Sequence, residues 1–367
     1  MFFELGLALA ALHFGVPLGY YAVAKRWLRR DWGIREDGGY RPKVSVIIPT
    51  YNEAGHIAQR LENVAQSYPR DKLEVVVVDG ASTDGTAEIA EKWAEKAGVD
   101  VKVVREERRE GKAKSLNRAL GLATGEVVVI ADADALWAPD ALRRAVAKLA
   151  DPSVGAVSCV KRPIGGPGIE EGYRGFYNAL RVAESKAWST PIFHGELAAF
   201  KREALEAVGG FPTDIGADDS HAATLIALRG LRAIVADDVL CMETVPEEGY
   251  HAWRIRRAQH LIQHFAKAVP LLRKAPRPFR AVLAAEAYLH LVNPWLLLTA
   301  VALLLASAFM GNILTTAFLG TGALMLLYKP YRTWIVAQIY LVAASVRNLR
   351  TKEIVWNKQI KRGRRRC

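Results

Sequence analysis

Val44-Ser45-Val46-Ile47-Ile48-Pro49-Thr50-Tyr51-Asn52-Glu53 is the stretch on which the fold turns. A β-branched apolar run that ends abruptly in polar residues reads as a strand buried on both faces, delivering side chains at its carboxyl end. Similar runs occupy 74–78, 101–104, 127–131 and 156–160, with Ala, Glu, Lys and Leu at helical spacing between them. This alternation predicts an α/β domain with a mostly parallel sheet, whose ligands sit beyond the carboxyl ends of the strands.

Polar clusters stand at three of those ends. The first holds Pro49, Tyr51 and Glu53, where a dinucleotide-binding protein would carry Gly-x-Gly-x-x-Gly; it does not. Thr50 and Glu53 also have the spacing of a capping box for the next helix. The second cluster runs from Asp79 to Thr86. Asp79 can accept hydrogen bonds from a base or ribose and Gly80 lets a ligand come close, whereas Asp84 reads equally as a helix cap. The third is Asp132-Ala133-Asp134. Two carboxylates at one strand end repel unless a cation lies between them, and a hard divalent metal on a diphosphate meets that need.

In combination these strings, together with Gly111-Lys112-Ala113-Lys114-Ser115-Leu116-Asn117, resemble glycosyltransferase family 2 over 44 to about 265. The resemblance implies the Rossmann-like GT-A fold and transfer with inversion. It implies that Asp79 and Asp132 contact the nucleoside, that Asp134 ligates Mg2+ or Mn2+ on the diphosphate, and that Lys112 neutralises that region. The segment 193–205, with His194, Gly195 and Glu196, resembles the family's acceptor-side loop. The segment 209–220 resembles the one that holds the base. The family's usual Glu-Asp is here Asp218-Asp219; Asp219 is expected to be the base, with Asp218 in reserve, and helix capping is the alternative for both.

A departure lies at 253–263. Cellulose-synthase-like and hyaluronan-synthase-like members carry Gln-x-x-Arg-Trp beside the membrane; here Gln259 matches the Gln, but Ile262 and Gln263 replace Arg and Trp. That argues against a held polymer, although Trp253 offers an aromatic platform from another angle.

The ends of the chain are apolar. Residues 2–23 carry one charge, Glu4, and about 22 residues suffice to span a bilayer. Positive charges follow at Lys25, Arg26, Arg29 and Arg30, so Met1 is expected outside and the rest cytoplasmic. The stretches 281–310 and 313–328 predict a transmembrane hairpin turning at Gly311-Asn312. At about 13 residues, 334–346 is too short to cross and reads as an interfacial helix. The expected organisation is an N-terminal transmembrane helix and basic flank (1–30), a GT-A domain (40–250), amphipathic interface helices (251–280), the hairpin (281–328), and an interfacial helix with a basic cytoplasmic tail (329–367).

Lys and Arg total 50 against 38 acids, a formal net charge of +12. The basic runs abut apolar segments, which favours anionic lipid over nucleic acid as the partner. Cys159, Cys241 and Cys367 offer neither a metal pair nor an even disulfide set, in keeping with a reducing compartment.

The expectation is therefore a multi-pass cell-membrane hexosyltransferase with a cytoplasmic catalytic domain, adding one sugar to a polyprenyl phosphate or lipid-linked oligosaccharide. Resemblance to small archaeal members of N-glycan biosynthesis favours mannose from GDP-mannose over a UDP-sugar. A processive polysaccharide synthase, a non-catalytic nucleotide-sugar sensor and a nucleotidyltransferase are the rival readings.

Overall fold

The computed structural model describes residues 1–166, 168–246, 248–352 and 355. Helix α1 (Phe2–Leu28) precedes the β/α succession β1 (Val44–Thr50), α2 (Ile57–Ala65), β2 (Leu73–Asp79), α3 (Thr86–Ala94), β3 (Asp100–Arg105), α4 (Lys112–Leu122) and β4 (Val127–Ile130). There follow β5 (Ala135–Trp137), α5 (Ala141–Leu149), β6 (Val154–Ile164), α6 (Ile169–Ala187), β7 (Ala198–Lys201), α7 (Arg202–Ala207), α8 (Asp218–Leu228) and β8 (Arg232–Thr244). The remaining helices are α9 (Tyr250–Ala268), α10 (Arg277–Leu291), α11 (Asn293–Phe309), α12 (Ile313–Met325) and α13 (Lys329–Arg350).

The strands form an eight-stranded sheet in the order β3-β2-β1-β4-β7-β6-β8-β5. β3, β2, β1 and β4 are mutually parallel, and β6 is parallel to β8; β7 and β5 run antiparallel to their neighbours. This mixed, mostly parallel sheet is the GT-A arrangement expected from the sequence. Val75 to Val78 are fully buried because helices cover both faces, and hiding each such side chain is worth roughly 1.5–3 kcal/mol.

Register brings the polar clusters together. Thr50 stands opposite Asp79, and Ile47 opposite Ile130, so Asp132 emerges beside Pro49. The antiparallel β7 pairs Ala198 with Ile130, which lays 194–197 against Asp132: the Asp132 N–H donates to the Gly195 carbonyl at 3.1 Å. The short segment at 198–201 is a strand within the stretch expected as the acceptor-side loop.

Among the described residues α1 alone is long and apolar enough to cross a membrane; α10 with α11, bent by 40°, and α12 with α13, bent by 102°, qualify only as pairs. The expected span at 281–310 is divided at Val292, and its first half serves the protein. Phe279, Leu283 and Ala287 of α10 are buried in the same apolar cluster as Phe200 and Phe265. α11 does pack along α1: a Cβ added to Gly6 would lie 2.9 Å from Leu304, and His13 Nδ1 meets the Asn293 carbonyl at 2.9 Å. The Gly311-Asn312 turn forms as expected, with Asn312 capping α12 by accepting the Thr315 N–H. α13 lies against α9, where Tyr340, Leu341 and Ala344 are buried with Ala258 and Ile262. The basic run at 358–366 and Cys367 lie outside the described residues.

Candidate active site

The loops at the carboxyl ends of β1, β2 and β4 open into a cleft of about 340 Å³, closed on its far side by α6, α8, α9 and α13. The first two loops are laced together. Asn52 donates its N–H to Ser82 Oγ at 2.8 Å and accepts the Thr83 N–H at 2.9 Å. Asn52 and Ala81 both take positive φ, 54° and 59°, a left-handed conformation that costs a non-glycine residue free energy and persists where the surroundings fix it. Pro49, Tyr51 and Glu53 line the cleft, and the Arg109 guanidinium lies 3.8 Å from the Tyr51 ring centre.

Asp79, at the end of β2, is only 3% exposed and does not itself line the cleft. Its Oδ1 accepts from the hydroxyls of Thr50 and Ser82, and its Oδ2 from the Ser82 N–H. Gly80, the next residue, faces the cleft. The Thr50–Glu53 capping box does not form: α2 starts only at Ile57, Thr50 turns to Asp79, and Glu53 contacts His56. Asp84 accepts the N–H groups of Ala54 and Thr86, but Gly85, not Asp84, is the N-cap of α3.

Lys112, at the first turn of α4, donates from Nζ to Asp132 Oδ1 at 2.7 Å. Burial alone would lower its pKa, but Asp132, Asp218 and Asp219 outweigh burial and keep it protonated. Gly195 permits this closeness, since a Cβ there would lie 2.6 Å from Lys112 Nζ and 3.3 Å from the Asp132 carboxylate.

Asp218 and Asp219 occupy the first turn of α8, whose partial positive charge favours carboxylates. Neither caps the helix; Ala217 holds that position. Asp218 Oδ2 is buried without a hydrogen-bond partner among the described residues, and burial, opposed by Lys112, raises its pKa. Asp219 accepts the Ser220 N–H at 2.6 Å. Burial and the neighbouring Asp218 push its pKa up to about 7, against the pull of Lys112. A carboxyl poised there takes and returns a proton near neutral pH.

The donor set suits a hard divalent cation that shares its coordination with substrate. No group of three or more His, Cys, Asp or Glu converges as a self-sufficient metal centre among the described residues, yet Asp132 and Asp134 both line the cleft. Mg2+ and similar ions need no more than one or two carboxylates when phosphates complete the shell.

The acceptor-side residues divide. His194, Gly195 and Glu196 line the cleft. Burial and then Lys161, Arg174 and Arg257 hold the His194 ring well below the usual histidine range, hence neutral. Glu196 is 3% exposed and pairs with Lys161 at 2.9 Å, within a buried ion network that includes Glu243 and Arg174. Trp253 is only 1% exposed, its ring covered by Arg257 and Arg174 at 4.9 and 5.7 Å. Trp253 nevertheless lines the cleft, together with Tyr173, Tyr177 and Tyr340. Gln259 is fully buried and does not line the cleft; its amide donates to the Thr351 carbonyl. Sequence reasoning missed the arginines of this wall, Arg254, Arg256 and Arg257, although three cations within four residues of a helix flanking the domain were a visible signal.

Residues 45–209 match the sequence profile of Glycosyl transferase family 2. The mannosyltransferase PcManGT from Pyrobaculum calidifontis, solved in complex with GDP-Man and Mn2+, is 60% identical with a TM-score of 0.89, over 95% of this chain and 99% of that one. The glycosyltransferase AglE of Haloferax volcanii is 31% identical over 204 residues, 54% of this chain and 66% of AglE. Putative cellulose synthase 2 of Komagataeibacter xylinus is 27% identical over 273 residues, 70% of this chain, and the chain spans 17% of that protein's length.

Proposed function

Since the chain belongs to glycosyl transferase family 2, we propose that it transfers a single mannose from GDP-mannose, with inversion and with the help of Mn2+ or Mg2+, to a lipid-linked acceptor at a membrane. The observation that carries this reading is the pairing of Asp132 and Asp134 at the end of β4 with Asp218 and Asp219 at the start of α8, in one cleft. The similarity to a mannosyltransferase that binds GDP-Man and Mn2+ supports the choice of donor.

In this reading the nucleoside lies over Pro49, Tyr51 and Gly80, and the diphosphate lies near Lys112. Asp132 and Asp134 hold the cation, which when bound supplies positive charge for the departing diphosphate. Asp219 takes the proton from the acceptor hydroxyl as the new bond forms at the anomeric carbon, and Asp218 keeps Asp219 basic enough to do so. Neutral His194 and the backbone of Gly195 bound the acceptor side.

Membrane attachment rests on α1. Because α11 packs lengthwise on α1, both enter the bilayer together, and α12, which reaches spanning length only with α13, leads the chain back with Ile313, Leu314 and Phe318 exposed. The basic residues after α1 keep the catalytic module in the cytoplasm. Non-processive transfer is supported by Ile262 and Gln263 standing where the Arg and Trp of Gln-x-x-Arg-Trp would be. The testing experiment is transfer of label from GDP-mannose into the lipid extract of membranes that carry the protein.

A further inference from the structure

Two glutamines one turn apart on α9 face neither solvent nor the cleft: Gln259 is fully buried and Gln263 is 5% exposed. The Gln263 amide is divided between two distant parts of the chain. Its Oε1 accepts the Gly216 N–H at 2.9 Å, two residues before α8 opens with Asp218 and Asp219. Its Nε2 donates to Asn348 Oδ1 at 3.0 Å and to the Lys352 carbonyl at 2.7 Å, at the C-terminal end of α13. Gln259 adds a second tie from α9 to that end through Thr351.

The turn before Asp218 is gripped from α9 at further points. The His260 ring lies so close to Gly216 that an added Cβ would fall 2.2 Å from it, and Lys267 pairs with Asp214 at 2.5 Å. A buried amide that loses either partner leaves a polar group unsatisfied, so its two halves are held or released together.

We propose that Gln263 is a positioning residue: it fixes the turn that presents Asp218 and Asp219, and makes that placement depend on the docked C-terminal end of α13. The proposal rests on the assignment of Asp219 as the base. α13 is the helix that leaves the apolar hairpin, so the amide joins the membrane-side part of the chain to the reacting carboxylates without touching substrate.

The test uses the full chain in lipid nanodiscs, as wild type, Gln263→Leu, Gln263→Glu, Asn348→Ala and the Gln263→Leu/Asn348→Ala double variant. Amide hydrogen exchange at Gly216, kcat, donor KM and melting temperature are measured for each. Gln263→Leu should speed Gly216 exchange about tenfold or more. It should lower kcat by roughly ten- to a hundredfold, the scale of a misplaced catalytic group, with donor KM within about twofold. Asn348 does not line the cleft, yet Asn348→Ala should act in the same direction, and the double variant should be no worse than Gln263→Leu. Gln263→Glu keeps an acceptor for Gly216 but sets a carboxylate against the Lys352 carbonyl, so it should follow Asn348→Ala. Wild-type exchange and kcat in Asn348→Ala, multiplying losses in the double variant, or a lowered melting temperature with unchanged kcat would each overturn the proposal. Exchange needs no turnover, so a wild-type protein that transfers no sugar sinks the proposed function while Gly216 still judges this coupling.

Discussion

The Lys112 ammonium donates to Asp132 across 2.7 Å and is held protonated by Asp132, Asp218 and Asp219 together. It is thus a shared countercharge for the metal-side and base-side carboxylates. Lys112→Met should raise donor KM by about tenfold or more and move the acid limb of kcat/KM to higher pH, because an uncompensated carboxylate cluster is harder to ionise. A pH series on the purified variant checks both; an unmoved acid limb would deny Lys112 this role.

As the proposed base, Asp219 is expected to set that limb. Its carboxyl is pushed up to about 7, so it is protonated below that pH and cannot accept the acceptor's proton. Wild-type kcat/KM should therefore rise with pH and level off above about 7, the free-enzyme value of the base. Asp219→Asn should flatten the limb and lower kcat by roughly a hundredfold or more, with donor affinity little changed. A larger loss in Asp218→Asn would exchange the two roles.

The cation is tested by removal. EDTA and Asp134→Ala should each abolish transfer, and Mn2+ should restore only the first. Full activity of the Asp134→Ala protein in EDTA would exclude a cation at this carboxylate.

The proposed topology puts the capped turn at Asn312 on the outer face. A cysteine placed by Asn312→Cys should react with an impermeant thiol reagent in intact cells. The native Cys159 and Cys241 are buried and should stay silent. An unlabelled Asn312→Cys that reacts only after lysis would mean that the hairpin does not reach the outer face.

Much of the site was legible because β-branched runs announce buried strands and their polar endings announce the ligand edge. β1, β2 and β4 lie within two residues of the expected positions, and register then delivers Asp79, Asp132 and Asp134. β7 escaped because Ala198 to Lys201 is four residues long and borders a helix, too short for a period to show. The apolar face of α10 was read as membrane because composition does not distinguish burial by lipid from burial by protein; Phe279 and Leu283 are hidden by the catalytic module. That Arg174 and Arg257 lie 5.7 and 4.9 Å from the Trp253 ring is likewise a contact no local pattern announces. The structural use of Gln259 and Gln263 depends on Asn348 and Thr351, some ninety residues on, and no local pattern carries such a contact.

The most direct test of the account is to incubate membranes or purified enzyme with radiolabelled GDP-mannose, Mn2+ and a lipid-linked acceptor, extract the lipid and weigh the product by mass spectrometry. The account predicts label in the lipid phase, dependent on the metal, with a single hexose increment on the acceptor. Transfer from a UDP-sugar in preference to GDP-mannose, or a ladder of increments that lengthens with time, would contradict it.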